Sequence, residues 1–305
     1  MRISPSTRKF LEEANRIKGY PLSEKLHGYF YMRWPVLYIA TATGTNRLGR
    51  LAGKVISGFN RIFPPKPPKP EKLTVADTYH GKVVSLESAR QLVSVKQAIR
   101  VDDLERVIPY KQARSLILDH PEHIVAMDCP CRMRYAEPCL PLGVCIVIGE
   151  PFASFTLEHH PQHSRAITSA EAVEILEAEE ARGHVHHAFF KEATLQRFYT
   201  ICNCCACHCA AIQAHKNGTP MLASSGYVAH VDAAKCSGCG QCVKFCQFNA
   251  PTLVDGVSFI DPDVCMGCGV CASHCKRNAI DLVLTPEKGV PLEMGKIMEQ
   301  AAKNA

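Results

Sequence analysis

Residues 236–246 read Cys236-Ser237-Gly238-Cys239-Gly240-Gln241-Cys242-Val243-Lys244-Phe245-Cys246. Residues 265–275 read Cys265-Met266-Gly267-Cys268-Gly269-Val270-Cys271-Ala272-Ser273-His274-Cys275. Both fit C-x2-C-x2-C-x3-C, at an offset of 29 residues, and the repeat runs on: Cys246-Gln247-Phe248-Asn249-Ala250 answers Cys275-Lys276-Arg277-Asn278-Ala279. A [4Fe-4S] cubane takes four thiolates at tetrahedral corners, which three cysteines of one tight loop and one from elsewhere can supply. In such runs the fourth Cys ligates the other cluster. The expected sets are therefore Cys236, Cys239, Cys242 with Cys275, and Cys265, Cys268, Cys271 with Cys246. Four-Cys zinc sites also use paired Cys-x2-Cys, but they do not need a third Cys at the next step. Between the repeats, Asp255-Gly256 separates Thr252-Leu253-Val254 from Val257-Ser258-Phe259, a hairpin signal.

This segment resembles the bacterial two-[4Fe-4S] ferredoxins over about one sixth of the chain. The resemblance implies two short helices on a small antiparallel sheet, with the clusters close together. Two positions depart from it: the family usually has Pro after each fourth Cys, where this chain has Gln247 and Lys276. Gly238, Gly240, Gly267 and Gly269 let the loops wrap closely, and their N–H groups are expected to reach cluster sulfurs.

Nine of the 17 cysteines lie upstream: Cys129, Cys131, Cys139 and Cys145 in one group, and Cys202, Cys204, Cys205, Cys207 and Cys209 in another. The expected arrangement is a third [4Fe-4S] cluster on Cys129, Cys131, Cys139 and Cys145, with Cys202, Cys204, Cys205 and Cys209 forming a further site. Crossed ligation, zinc and a reactive thiol or disulfide centre stay open. One metal using both Cys204 and Cys205 is the simplest reading of that adjacent pair. Asp128 to Cys275 as a whole resembles the larger 4Fe-4S dicluster proteins of anaerobes, which carry an extra Cys-rich lobe. The resemblance rests on Cys129-Pro130-Cys131-Arg132, Gly183-His184-Val185-His186 and the run Ile201 to Cys209. Those proteins commonly have a further Cys where this chain has His208, a change expected to alter or abolish one ligand. Of His159, His160, His163, His184, His186 and His187, most are expected on the surface, with His186 the one candidate near the metal lobe.

Cysteines at two- and three-residue gaps suit metal ligation better than cross-linking, and Met1-Arg2-Ile3-Ser4-Pro5 has no apolar signal-peptide core. A reducing, cytoplasmic setting is expected. Met1 to Lys72 carries 14 Lys/Arg against 4 Asp/Glu, a net +10, while the remainder carries 21 against 25, a net −4. The basicity is thus local, which argues against a nucleic-acid partner. Pro64 to Pro70 reads as an extended spacer. Before it, Leu26 to Ala42 is apolar but interrupted by Arg33 and Pro35. Arg47 to Phe63 has the period of a basic amphipathic helix. That helix fits an anionic membrane surface on the cytoplasmic face, a partner subunit, or the protein's own core.

The fold class expected is α+β: a basic helical arm (1–63), a Pro-rich linker (64–72), a mainly helical Cys-rich middle domain (73–232), a ferredoxin-like two-cluster domain (233–284) and a polar tail (285–305). Val84 to Leu118 reads mainly as helix and His123 to Met127 as a strand. Thr168-Ser169-Ala170-Glu171 reads as a capping box opening a helix that Gly183 ends. No GxGxxG or GxxxxGK[ST] motif is present. That favours an iron–sulfur electron carrier, or a subunit served by a redox partner protein, over a self-contained nucleotide-linked enzyme. The alternative is a reductase with its substrate or metal site in the middle lobe, fed by the ferredoxin module. A cluster-sensing regulator is a third reading, without a helix-turn-helix to support it.

Overall fold

The computed structural model describes residues 3–62 and 73–303; the proline run at 64–70 lies outside them. Four helices come first: α1 (Pro5–Arg16), α2 (Leu22–Arg33), α3 (Pro35–Ala42) and α4 (Arg47–Ile62). Then follow α5 (Val75–Thr78), β1 (Tyr79–Val84), α6 (Leu86–Val93), β2 (Ile99–Val101), β3 (Leu116–Asp128), α7 (Pro130–Met133), β4 (Gly143–Glu150), α8 (Phe152–His159), β5 (Ser164–Ile167) and α9 (Ser169–Ala181). Next are β6 (Val185–Lys191), β7 (Arg197–Cys204), α10 (Ala210–Lys216), β8 (Leu222–Ala223), β9 (Tyr227–Val231), α11 (Gln241–Phe245), β10 (Pro251–Val254) and β11 (Val257–Ile260). Finally come α12 (Val270–Ser273), β12 (Ile280–Leu284) and α13 (Met294–Lys303).

The middle region is not mainly helical. It is one mixed sheet in the order β2-β3-β4-β7-β6-β1-β8, with β5 added on β3. All its pairings are antiparallel except β1 with β8. Within Val84 to Leu118, read as helix from the sequence, only Leu86–Val93 is α-helical. The physical reason is double coverage. One face packs Leu92, Ile146, Leu176, Ala188 and Phe198 under α6, α9 and α13. The other packs Phe10, Tyr31, Val147, Phe155 and Phe189 under α1, α2 and α8. Every residue of β6 is buried as a result. Such strands lose the period-two pattern, and periodicity cannot tell their apolar runs from helix.

His123 to Met127 does lie in β3, and α9 opens on the capping box, with Thr168 N–H donating to Glu171 at 2.8 Å.

The first three helices pack on the sheet. Phe10 and Ala14 are completely buried, and burying the Phe10 ring contributes about 1.5–3 kcal/mol from removed apolar surface. Arg197 Nη2 pairs with Glu13 at 2.9 Å, and the Tyr20 hydroxyl donates to Glu192 O at 2.8 Å. In contrast, Leu48, Leu51 and Val55 of α4 are exposed, beside exposed Arg47, Arg50 and Lys54. Among the described residues no helix is long and apolar enough to cross a membrane. The segment expected as a polar tail also returns to the body, burying Leu292, Met294 and Ile297 in the sheet's first core.

The C-terminal cysteine loops sit in a small unit of two two-stranded sheets, β9 with β12 and β10 with β11. The second is the hairpin around Asp255-Gly256, with both turn residues at positive φ. Because β9 pairs with β12 along its whole length, the unit includes strand residues ahead of 233.

Candidate metal centres

The two C-terminal loops are folded across each other. Cys236, Cys239, Cys242 and Cys275 surround one cavity; Cys246, Cys265, Cys268 and Cys271 surround a second. Each cavity thus brings together three cysteines of one loop and the fourth of the other. Gly267 sits at φ +64°, where a Cβ would stand 2.1 Å from Tyr227 O; at Gly238 it would stand 2.3 Å from Gly256 O. Only glycine lets either loop close on its cradle.

Backbone amides point at the sulfurs. Ser258 N–H donates to Cys236 Sγ and Ala229 N–H to Cys265 Sγ, each at 3.5 Å, and Ala279 N–H donates to Cys275 Sγ at 3.3 Å. Ala229 and Ser258 are themselves one repeat apart, so the amide donors are crossed like the cysteines. The sequence reading named the loop glycines instead and missed these strand donors; their place in the 29-residue repeat was the available signal. The donor set, the glycine cradles and the N–H···S bonds fit thiolate-bound iron–sulfur clusters.

The nine upstream cysteines regroup. Cys129 touches Cys131 and Cys145, and Cys145 touches Cys202. Cys202 touches Cys204, Cys204 touches Cys209, and Cys209 returns to Cys131. Six thiols thus close a ring on one cavity, which Tyr31, Met32, Pro35, Tyr79, Phe152 and Tyr199 also line. Helices α2 and α3 roof this cavity, and the Tyr31 and Tyr199 hydroxyls meet at 2.7 Å within it.

The acidities around the ring are uneven: Cys202 and Cys209 are held down and the other four thiols are pushed up. Contact with Cys145, then Cys204, holds Cys202 down near 5, and Cys131, then Cys204, does the same for Cys209. Cys145 and Cys204 are pushed well up, first by contact with Cys129 and Cys202 respectively, then by burial. Six sulfurs packed this closely, four of them on buried residues, cannot all ionise without a cationic group among them.

One permanent cation stands beside them. Arg132, on the Cys129-Pro130-Cys131 turn, is 1% exposed. It donates to Glu179 at 2.7 Å, to Asn203 O at 3.1 Å and to Pro141 O.

Two expected ligands lie outside the ring. Cys139 is beside Cys207, and Cys205 faces His208, so the adjacent Cys204 and Cys205 serve different clusters of side chains. His186 stands against other polar side chains. Its Nδ1 meets Asn203 Oδ1 at 2.6 Å and its Nε2 meets Glu180 Oε2 at 3.1 Å. Nor are His184, His186 and His187 on the surface: all three are buried, the last two completely. Strand β6 is interior, and a short run of histidines gives no sign of that.

The two lobes meet at Gln247, one of the positions where a ferredoxin usually has Pro. Its Oε1 accepts from Ala206 N–H at 2.7 Å and its Nε2 donates to Gly183 O at 2.8 Å. Gly183 is needed there, since a Cβ would stand 2.5 Å from Phe245. Phe248, Met266 and Val270 of the second cysteine cavity's surroundings join the core that holds Cys204 and Cys209. A further thread runs through Glu180, which accepts from Ser273 of α12 at 2.7 Å.

Paired short sheets, two short helices and crossed tetracysteine loops define a ferredoxin-type unit. Residues 228–276 match the family described as 4Fe-4S dicluster domain, which associates the chain with iron–sulfur clusters and electron transfer. No curated protein and no solved structure matches the chain.

Proposed function

We propose that this chain is an iron–sulfur electron-transfer protein, or a subunit of a redox complex, with two [4Fe-4S] clusters in its bacterial-type ferredoxin domain and a further iron–sulfur centre in the six-thiol ring. The ligand sets are Cys236, Cys239, Cys242 and Cys275, and Cys265, Cys268, Cys271 and Cys246. Cys129, Cys131, Cys145, Cys202, Cys204 and Cys209 offer more thiols than one cubane needs. Clusters so bound supply reversible one-electron chemistry. The carrying observation is adjacency: the second ferredoxin cavity packs, through Phe248 and Met266, on the core that includes Cys204 and Cys209. The protein's own groups then do three things. Arg132 offsets buried negative charge, backbone amides steady the sulfurs, and α2 with α3 keep water from the ring.

Cys239, the exposed member of the first set, makes the outer loop the natural face for a cytoplasmic redox partner. The exposed apolar and basic residues of α4 fit an anionic lipid surface by charge, with docking to a subunit the competing outcome. Flotation of the full chain with phosphatidylserine vesicles tests this, and no binding to them rejects the lipid.

Iron and acid-labile sulfide counting with EPR on anaerobically purified protein tests the main reading. More than about eight irons per chain is expected, falling to about eight in Cys145→Ala with the ferredoxin signal kept. Colourless, sulfide-free protein overturns the electron-transfer reading; about eight irons in the unaltered chain overturns the ring centre alone. The aromatic cavity beside the ring favours a second reading, a reductase with substrate bound there. Cyanide or CO shifting the EPR signal that Cys145→Ala removes would support it.

A further inference from the structure

Cys139, Cys205, Cys207 and His208 place one ligand atom each so that all four lie within 4.8 Å of one another. Cys139 Sγ is 3.3 Å from Cys207 Sγ. His208 Nδ1 is 3.1 Å from Cys207 Sγ and 3.8 Å from Cys205 Sγ. Four donors held 2.0–2.3 Å from one tetrahedral ion stand roughly 3.3–3.8 Å apart. The geometry is therefore that of a single ion.

The surroundings set the donors in advance. His208 Nε2 lies 3.3 Å from Glu137 O; donating its proton there leaves Nδ1 with the free lone pair. Arg134 donates to His208 O at 3.0 Å and to Gln213 Oε1 at 2.9 Å, while Gln213 donates to Cys207 O at 2.8 Å. The Tyr135 ring edge stands on the imidazole at 4.7 Å. Cys207 is exposed, so an ion can enter from solvent. Three thiolates and one imidazole with no open position make a borderline-soft, closed donor set of the structural zinc class.

We propose that Cys139, Cys205, Cys207 and His208 form a zinc site, distinct from the iron–sulfur centres, that pins the 134–142 loop to the turn before α10. His208, in the place where the resembling proteins carry Cys, then keeps a ligand rather than removing one. The site shares no ligand with the six-thiol ring, although Cys205 and His208 border the same cavity, so zinc and iron are counted separately in its test.

The test is zinc and iron measured together on the full chain purified anaerobically. About one zinc per chain is expected, lost in Cys207→Ser and His208→Ala with iron unchanged, and kept in His208→Cys. Iron rather than zinc falling in these variants overturns the proposal, as does zinc that is absent from the unaltered chain or indifferent to both substitutions. Should a variant fail to fold, cobalt in the unaltered protein decides. Tetrahedral thiolate–cobalt bands in the unaltered protein support the site, and their absence overturns it.

Discussion

Replacing Gln247 by Ala tests whether the position that departs from the ferredoxin pattern is what docks the two lobes. The substitution removes the two hydrogen bonds that cross between the lobes, from Ala206 N–H at 2.7 Å and to Gly183 O at 2.8 Å, together with a long local one to Phe245 O at 3.4 Å. Gln247 and Ala206 are half-buried, so water can take up part of what is lost and the lower part of the usual range applies. The expected cost is about 1–2 kcal/mol, or roughly 5–30-fold in the docked-to-undocked ratio of the 205–209 turn. Hydrogen exchange on the full chain reads this directly. Amides of residues 205–209 are expected to exchange faster by that factor, with strands β3 and β6 unchanged. Gln247→Glu keeps the acceptor and loses the donor, so its effect is expected to be about half as large in energy. Unchanged exchange in the turn, or acceleration spread evenly over the sheet, would refute the docking role.

Three more outcomes follow from the packing. Gly267→Ala and Gly238→Ala, whose Cβ atoms would meet backbone oxygens at 2.1 and 2.3 Å, are each expected to lower iron by about four atoms per chain. Gly53→Ala, with open space around it, is the silent control; full iron in the first two would show that the loops can move aside. Arg132→Met strands the buried Glu179 carboxylate. Arg182 and His184 remain on Glu179 at 2.9 and 2.6 Å, so a loss of about 3 kcal/mol is expected in chemical denaturation. Arg132→Lys is not expected to rescue it, and full rescue would refute the multi-partner role. His80 is completely buried, and burial pushes its imidazole down to about 4 from 6.5. The unfolded chain therefore takes up a proton first. Its contribution is whole above about pH 6.5 and declines as pH falls toward 4, by about 1 kcal/mol between pH 7 and 5.5. His80→Asn is expected to flatten that slope in urea titrations, and an equal slope in both proteins would remove His80 as its source.

The sequence alone determined what depends on near neighbours along the chain. The two tetracysteine loops, the Asp255-Gly256 turn and the Thr168 capping box each act within a few residues, where spacing dictates geometry. The crossed grouping was an expectation from the repeat, since in such runs the fourth Cys serves the other loop's cluster. Only the tertiary structure decided the rest. Cys139 leaves its sequence neighbours for Cys207, and Cys204 and Cys205 turn to different sites, because pairing of distant strands sets which thiols meet. β4 and β6 carry no alternating pattern because both faces of the sheet are covered and nearly all their residues are buried, which leaves a reader no sign of the sheet. The N-terminal helices roof the six-thiol cavity rather than standing apart as an arm. That follows from Phe10, Ala14 and Tyr31 finding apolar partners more than a hundred residues away, and separation of that kind leaves no mark in local spacing.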